Sequence, residues 1–413
     1  MAGRPRARRR LLVLGAGPAQ LGLLEAARRR QDIEVIAVDR DPQAPGFVFA
    51  DERAVISSED EEAVDRLARA RDVDGIVSPG ADWPVGIAAR VAERIGLAHP
   101  IDGRTGALAT SKARQREAFA AAGVPHARAL DARDPALRLP AVVKAPDRQG
   151  QRGLTLVRDR GELEAALDAA IAESRSGAVL VEEHVEGPEV TVNAVSVDGE
   201  LVPLTVTDRM TAAPPAFGVA LAHVWPCVHD VGAVVTAAKA AVEAVGIANG
   251  PSYTQLRIGP DGPVVIEVAA RLGGGHDAEL CEVATGVDLN TLAIDFALGS
   301  VPDRGLTPAT LPALDTDASR GTGPSGASGA AVVFLVPPQG RLLEVEGVID
   351  VEAIPGVEWV RVYRRPGHVF GPLRRGSDRA GAILVTGRDR EEALERGRRG
   401  ADAVRFRVDA DPS

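Results

Sequence analysis

Residues 264–277 read Val-Val-Ile-Glu-Val-Ala-Ala-Arg-Leu-Gly-Gly-Gly-His-Asp. The β-branched run Val264–Val268 predicts a core strand. A carboxylate inside such a strand, Glu267, costs free energy unless a cation meets it. Arg271 follows shortly, and Gly273–Gly275 let backbone amides approach an anion closely. A metal-competent carboxylate, a guanidinium and a glycine turn so near one another suggest a phosphoryl-transfer site. A buried Glu267–Arg271 ion pair beside an ordinary turn explains the same residues, and the stretch alone does not separate the two.

Working outward, Pro251–Ile258 reads as a strand and Pro260-Asp261-Gly262 as a tight turn into Val264–Val268. Such a hairpin lets Gln255 and Glu267 face one site across neighbouring strands. Beyond the glycines, 277–285 reads as a helix and 289–298 as an apolar segment. Residues 302–330 are rich in Pro, Gly, Ser and Thr, which predicts a linker or mobile loop. The tail (331–413) resumes as a small α+β cap, with strands at 331–336, near 341–344, 357–363, 382–386 and 403–408 and a helix at 389–402. Its Arg364, Arg365, Arg374 and Arg375 read as a solvated face.

The N-terminal part alternates strands and helices. Strand 11–15, a turn with Gly15, Gly17 and Gly22, helix 19–29 and strand 33–39 ending in Asp39 mimic a dinucleotide fingerprint. Gln20, however, stands where the third glycine of G-x-G-x-x-G belongs. Helix 60–70, strand 75–78, helix 84–95 and a short strand near Leu97 continue the pattern, predicting a doubly wound parallel sheet over 1–105. Ser111-Lys112 then opens a helix to Ala122 that Gly123 stops. Ala141–Ala145, with Lys144 among apolar neighbours, leads through Asp147–Gly153 to strand 154–157. The tip of that hairpin can fold over phosphates, with amides of Gly150 and Gly153 and the Arg152 side chain as donors. No G-x-x-x-x-G-K-[ST] occurs, so this is not a P-loop. Helix 161–174, strand 178–182 and the run Glu183-His184-Val185-Glu186-Gly187-Pro188-Glu189 precede strand 190–197. Residues 201–226 read as strand 201–207 and a long irregular loop carrying Arg209, His223, Trp225 and Cys227.

Bulk composition narrows the partners. A net charge of −10 argues against nucleic acid or an anionic membrane as the main partner. Cys227 and Cys281 are too few for a disulfide framework, so a reducing cytoplasm fits. Basic residues before Leu11 precede an apolar run too short for a signal peptide, and they read as a frayed arm; no stretch is long enough to span a bilayer. Only three of 48 basic residues are lysine: Lys112, Lys144 and Lys239. A lysine kept in so arginine-biased a chain hints at a site wanting a compact ammonium, as phosphate sites often do.

The order of parts resembles the ATP-grasp superfamily, specifically its carboxylate–amine ligases, over roughly residues 11–408. Four matches carry the resemblance: Ser111-Lys112, Val142-Val143-Lys144 with its glycine loop, Val181–Glu189, and Ile266–Arg271. The third is similar to the hinge of D-alanine–D-alanine ligases, while the N-terminal turn and the cap look like biotin carboxylase and L-amino acid ligases. The resemblance implies a central ATP-grasp α+β domain over 106–301 with a mobile lid at about 141–180. It implies that Lys112 and Lys144 contact ATP phosphates, that Glu182 accepts from the adenine amino group, with Glu183 beside it, that the Val185 backbone meets the ring, and that Glu189 binds the ribose. It further implies that Glu267 holds Mg²⁺ and that Arg271 steadies an acyl phosphate.

Two departures stand out. Gln255 occupies the place of a second acidic metal ligand, and Ala269 that of a frequent asparagine. The expected activity is ATP-dependent ligation of a small-molecule acid and amine through an acyl phosphate, with a carboxylase using carboxyphosphate as the alternative. A nicotinamide oxidoreductase and a non-catalytic nucleotide-binding module are the rivals from other classes. Arg209, His223, Trp225, Arg271, His276 and Asp277 are the substrate-pocket candidates; for His223 and Trp225 a packing role serves equally well. Relatives are commonly homodimers.

Overall fold

The computed structural model describes residues 8–300 and 327–409. Most of the linker expected at 302–330 lies outside them, although Gly329 and Ala330 already belong to a strand. The N-terminal sheet is parallel, in the order Glu52–Ala54, Ile33–Val38, Arg9–Leu14, Gly75–Val77. Its chain order reverses at the first strand, which places a crevice at the strands' carboxyl ends. Arg9 and Arg10 are not frayed. They open the first strand, with Arg10 bonded to Glu34 and Arg9 to the Leu298 carbonyl, each at 3.1 Å. The strand expected near Leu97 is absent: Gly96, in the left-handed region, ends helix Asp82–Ile95. Helix Gly103–Ala109, capped by Asp102, comes next. Two glycines in so short a helix hid it from propensity reasoning.

An eight-stranded antiparallel sheet forms the centre. Its order is Gly262–Ala269, Gly250–Gly259, Glu189–Val197, Glu200–Thr211, Ala220–Trp225, Gly329–Leu335, Gly381–Gly387 and Val357–Val362. The last three strands come from the tail, so part of the α+β cap extends this sheet, while Val369–Phe370, Gly340–Glu346 and Arg405–Asp409 form a separate three-stranded one. Helix Val231–Val245 covers one face with Val231, Val234, Ala238, Ala241 and Val245, a helical spacing that packs with Val192, Val206, Leu256 and Val268. Full burial of each larger side chain contributes about 1.5–3 kcal/mol.

The irregular loop expected within 201–226 is instead mostly hairpin. Strand Glu200–Thr211 pairs with Ala220–Trp225, and Arg209 faces His223 in register. Polar side chains on its inner face spoil the alternation that marks a strand.

A smaller sheet holds Ala129–Leu130, Leu180–Glu183, Ala141–Lys144 and Thr155–Val157, backed by helix Arg160–Glu173. Val143, Val157, Leu163 and Ala166 form its own core. Helix Lys112–Ala122 begins where the Ser111 hydroxyl accepts the Arg114 amide, and ends at left-handed Gly123. No helix among the described residues is long and apolar enough to cross a membrane.

Candidate active site

The hairpin Gly250–Gly259/Gly262–Ala269 pairs Gln255 with Glu267, and a register shift follows directly. Both side chains line a chamber of about 340 Å³ where the N-terminal sheet, the central sheet and the lid meet. Glu267 does not pair with Arg271. Lys112 Nζ donates to Glu267 Oε1 at 3.0 Å, and Arg271 Nε donates to Asp82 Oδ1 at 2.6 Å. Burial resists ionisation of Glu267, but Lys112 and Arg271 hold its carboxyl below the usual range. Burial pushes Asp82 upward, and the Glu267 charge adds to that push against Arg271. Asp82 starts a helix of the N-terminal unit and went unread in the sequence; an acid in a first helical turn ordinarily just complements the helix dipole.

Lys144 pairs with Glu182, and Arg116 donates to the same carboxylate at 2.6 Å. Arg116 was also unread. Burial pushes the Lys144 ammonium down to about 8 against the pull of Glu182. Lys112, Lys144, Glu182 and Glu267 thus converge, although only Glu267 lines the chamber and the other three lie behind its wall. The third lysine, Lys239, sits on an exposed helix face, 3.9 Å from Glu200 and from Glu243.

Alternation along Leu180–Glu183 sends Glu183 the other way, to Arg128 at 2.6 Å. Glu189 is buried among three donors: Arg209, Arg257 at 2.5 Å and Gln255 Nε2 at 2.9 Å. That bond orients Gln255 so that its Oε1 remains as an acceptor. The Val185 carbonyl takes Arg257 at 3.1 Å.

The loop 147–153 reaches across the chamber. Lys112 Nζ donates to the Arg148 carbonyl at 2.9 Å, the Gln149 side chain accepts the Asp82 amide, and the Gly150 carbonyl accepts the Gly376 amide at 3.4 Å. Gly150 and Gly153 have φ of +69° and +63°, which glycine adopts without strain. Arg152 lines the chamber, and burial with nearby Arg148 lowers its pKa.

Arg209, His223, Arg271 and His276 also line the chamber, and Asp277 lies directly behind it. Trp225 does not: it packs with Leu280, Ala284 and Val332 in a core cluster. Tyr253, Tyr363, Arg364 and Arg379 complete the wall. Arg364 was expected on a solvated face, and Arg379 was not singled out at all. Both lie on segments that reach the site only because the tail joins the central sheet.

The Gly275 amide does not await an anion. It donates to Asp277 Oδ2 at 2.9 Å, and a Cβ on Gly273 would come within 2.2 Å of that oxygen. The N-terminal glycine turn is likewise self-contained, since Asp39 Oδ2 accepts the Ala16 amide at 2.9 Å. That carboxylate therefore already serves its own turn, against the dinucleotide reading.

Among the described residues no three His, Cys, Asp or Glu side chains cluster as metal ligands. Glu267 and the Gln255 amide oxygen suit Mg²⁺, which takes oxygen donors and keeps several waters and phosphate oxygens.

A parallel N-terminal sheet, a long antiparallel sheet and a small four-stranded sheet whose loop 147–153 reaches across the cleft between them fit an ATP-grasp fold. Residues 137–279 match the ATP-grasp domain and residues 333–409 match L-amino acid ligase C-terminal domain 2. The chain therefore carries an ATP-grasp domain followed by a C-terminal domain of the L-amino acid ligase kind. It is 29% identical over 415 residues to formate-dependent phosphoribosylglycinamide formyltransferase of Burkholderia vietnamiensis, covering 96% of this chain and 95% of that one. Among solved structures, L-amino acid ligase from Bacillus licheniformis superposes with a TM-score of 0.79 at 22% identity, covering 98% of this chain and 100% of that chain. The biotin carboxylase domain dimer of Hydrogenobacter thermophilus 2-oxoglutarate carboxylase, in complex with MgADP and bicarbonate, superposes at 0.76 with 19% identity, covering 98% and 91%. At these identities both structures speak to the fold alone.

Proposed function

We propose that this protein joins a carboxylic acid to an amine with ATP, through an acyl phosphate, releasing ADP and phosphate. One observation carries the reading: Lys112 and Lys144 come from two separate elements to stand close behind Glu267, which lines the chamber together with Arg271. The match of the C-terminal residues to an L-amino acid ligase domain supports the same chemistry, as does a formate-dependent relative, formate being a small carboxylate.

A substrate carboxylate oxygen bonds to the γ-phosphorus while the bond to the ADP oxygen breaks. Carboxylates are poor acyl donors, and phosphorylation supplies the leaving group. Lys112, Lys144, Arg152 and the loop 147–153 hold the phosphates, and Arg271, fixed by Asp82, meets the acyl phosphate. Glu182 receives the adenine amino group on the lone pairs that Arg116 and Lys144 leave. Glu189 acts one step back, fixing Gln255 and Arg209. Glu267 and Gln255 would hold Mg²⁺, which supplies charge neutralisation on the phosphates. Closure of the loop keeps water from the acyl phosphate.

The test is phosphate release from ATP and Mg²⁺ with the twenty common L-amino acids supplied in pairs. Release that requires an acid and an amine is expected. Release with bicarbonate alone would replace the reading with carboxylation, and silence with every pair and with bicarbonate would leave it without support.

A further inference from the structure

We infer that His223, backed by Asp277, accepts the proton of the attacking amine; this rests on the ligase reading above. His223 Nδ1 lies 3.0 Å from Asp277 Oδ1, with the two side chains 3% and 1% exposed. The approach is off the angle of a proper hydrogen bond, so the carboxylate acts on the ring through its nearby charge. Burial works against ionisation of Asp277, yet His223, the Gly275 amide and Arg209 bring its pKa to about 2. The carboxylate is therefore anionic wherever the enzyme would work.

The surroundings are shaped around this pair. A Cβ on Gly275 would sit 2.9 Å from His223 Nε2 and 3.1 Å from Asp277 Oδ2, so the glycine turn makes room for both side chains. Gly275 belongs to the chamber wall, and the Nε2 edge of the ring lies against it. Among the described residues Nε2 has no hydrogen-bond partner. The second chamber histidine differs: His276 has Nδ1 3.0 Å from Glu279 and Nε2 2.5 Å from the Tyr363 hydroxyl. Only His223 keeps a ring nitrogen for a substrate. Arg209 from the neighbouring strand, Tyr253, Cys281 and Arg379 are the other titratable groups facing the pair, and the Phe334 ring packs edge-on against the imidazole. Arg209 is neutralised by Glu189.

An amine bound as ammonium has no lone pair to attack with. In the step assigned here its nitrogen forms the C–N bond as the C–O bond to the phosphoryl group breaks. Before that attack His223 Nε2 takes one proton from the ammonium and frees the lone pair; the second surplus proton on nitrogen goes to the departing phosphate, and the imidazolium returns its proton to solvent as product departs. Asp277 is a positioning residue that stabilises the imidazolium.

Hydroxylamine, unprotonated at neutral pH, tests the assignment. In His223→Asn, amide formation from paired L-amino acids should fall by at least about 100-fold, while hydroxamate formation from the same acid stays within about threefold of wild type. Asp277→Asn should show the same selectivity with a smaller fall, and it carries the test alone if the first variant does not fold. Added imidazole should restore amide formation to His223→Ala. Equal loss of amide and hydroxamate, or full retention of both, overturns the inference. A wild-type enzyme that makes neither product removes the ligase reading itself, an outcome distinct from an active enzyme whose variants lose both products alike.

Discussion

At one end of the chamber Lys112 lies 3.0 Å from Glu267, Arg116 2.6 Å from Glu182 and Arg271 2.6 Å from Asp82. At the other end Arg364 meets the Ser377 carbonyl, and Arg379 meets the Gly376 and Ala220 carbonyls and the Phe334 ring. Neither of these two has a carboxylate partner among the described residues. Burial lowers the pKa of both, Arg379 to about 10. The difference is one of charge accounting. At the first end every one of these cations, Lys144 included, is paired with a protein carboxylate, so a bound polyphosphate must compete with those carboxylates for them. The second end holds desolvated positive charge without a paired carboxylate, which suits an anionic ligand group.

The largest effect should come from breaking the first end. Glu267→Gln keeps the shape but removes the charge that pairs with Lys112 and suits Mg²⁺. Substrate-dependent ADP release should fall by about 100-fold or more. A wild-type rate would remove Glu267 from the metal site. Next comes the second end, where Arg379→Ala should raise the KM for one amino-acid substrate by about 10- to 100-fold, the range of a charge-assisted hydrogen bond. The KM for ATP should hold. Arg379→Lys should recover only part of the loss, because an ammonium lacks the planar fork. An equal change in both KM values would mean that the two ends are not separate subsites.

The same contrast governs what could be read from the chain. The Gln255–Glu267 hairpin was legible because a tight turn and an apolar run fix its register locally. Lys112 was singled out by the scarcity of lysine and by the family resemblance, and Lys144 also by its isolation in an apolar strand. Asp82, Arg116 and Arg379 were not, since each acts on a partner distant in sequence: Arg271, Glu182, and Ala220 with Phe334. An arginine in a chain this rich in arginine carries no signal until the fold supplies its neighbour. The strand holding His223 was missed because Pro214-Pro215, Gly218 and inward polar side chains read as loop. The glycine turn was legible as a place of close approach, but what approaches is the chain's own Asp277 and His223.

Proton linkage sharpens the first end further. In the free protein burial holds Lys144 at about 8, below its ordinary 10.5. Phosphates beside it favour the ammonium and raise that value. Below pH 8 the lysine is protonated free and bound, so affinity for ATP is flat. Above pH 8 binding takes up a proton, and affinity should fall by about tenfold per pH unit until the bound pKa is reached. Calorimetry in buffers of different ionisation enthalpy would register the uptake at pH 9 and its absence at pH 7. Lys144→Gln should abolish it, and uptake that persists would assign the proton elsewhere. For folding the sign is reversed: the unfolded lysine holds its proton longer, so this residue's contribution to stability rises with pH between about 8 and 10.5.

The smallest effect tests the alternation that divides two adjacent carboxylates. Glu182 is buried between Lys144 and Arg116, whereas Glu183, on the opposite face of the same strand, pairs with a largely exposed Arg128. Glu183→Ala therefore removes a screened surface pair. Its melting temperature should move by no more than about 2 °C, and its affinity for ATP should stay at the wild-type value. Glu182→Ala strands two buried cations and should lose both nucleotide binding and stability. Were Glu183→Ala to weaken ATP binding as Glu182→Ala does, the hinge would have to rotate on binding and bring the second carboxylate inward, and the first end would then be made by nucleotide rather than preformed.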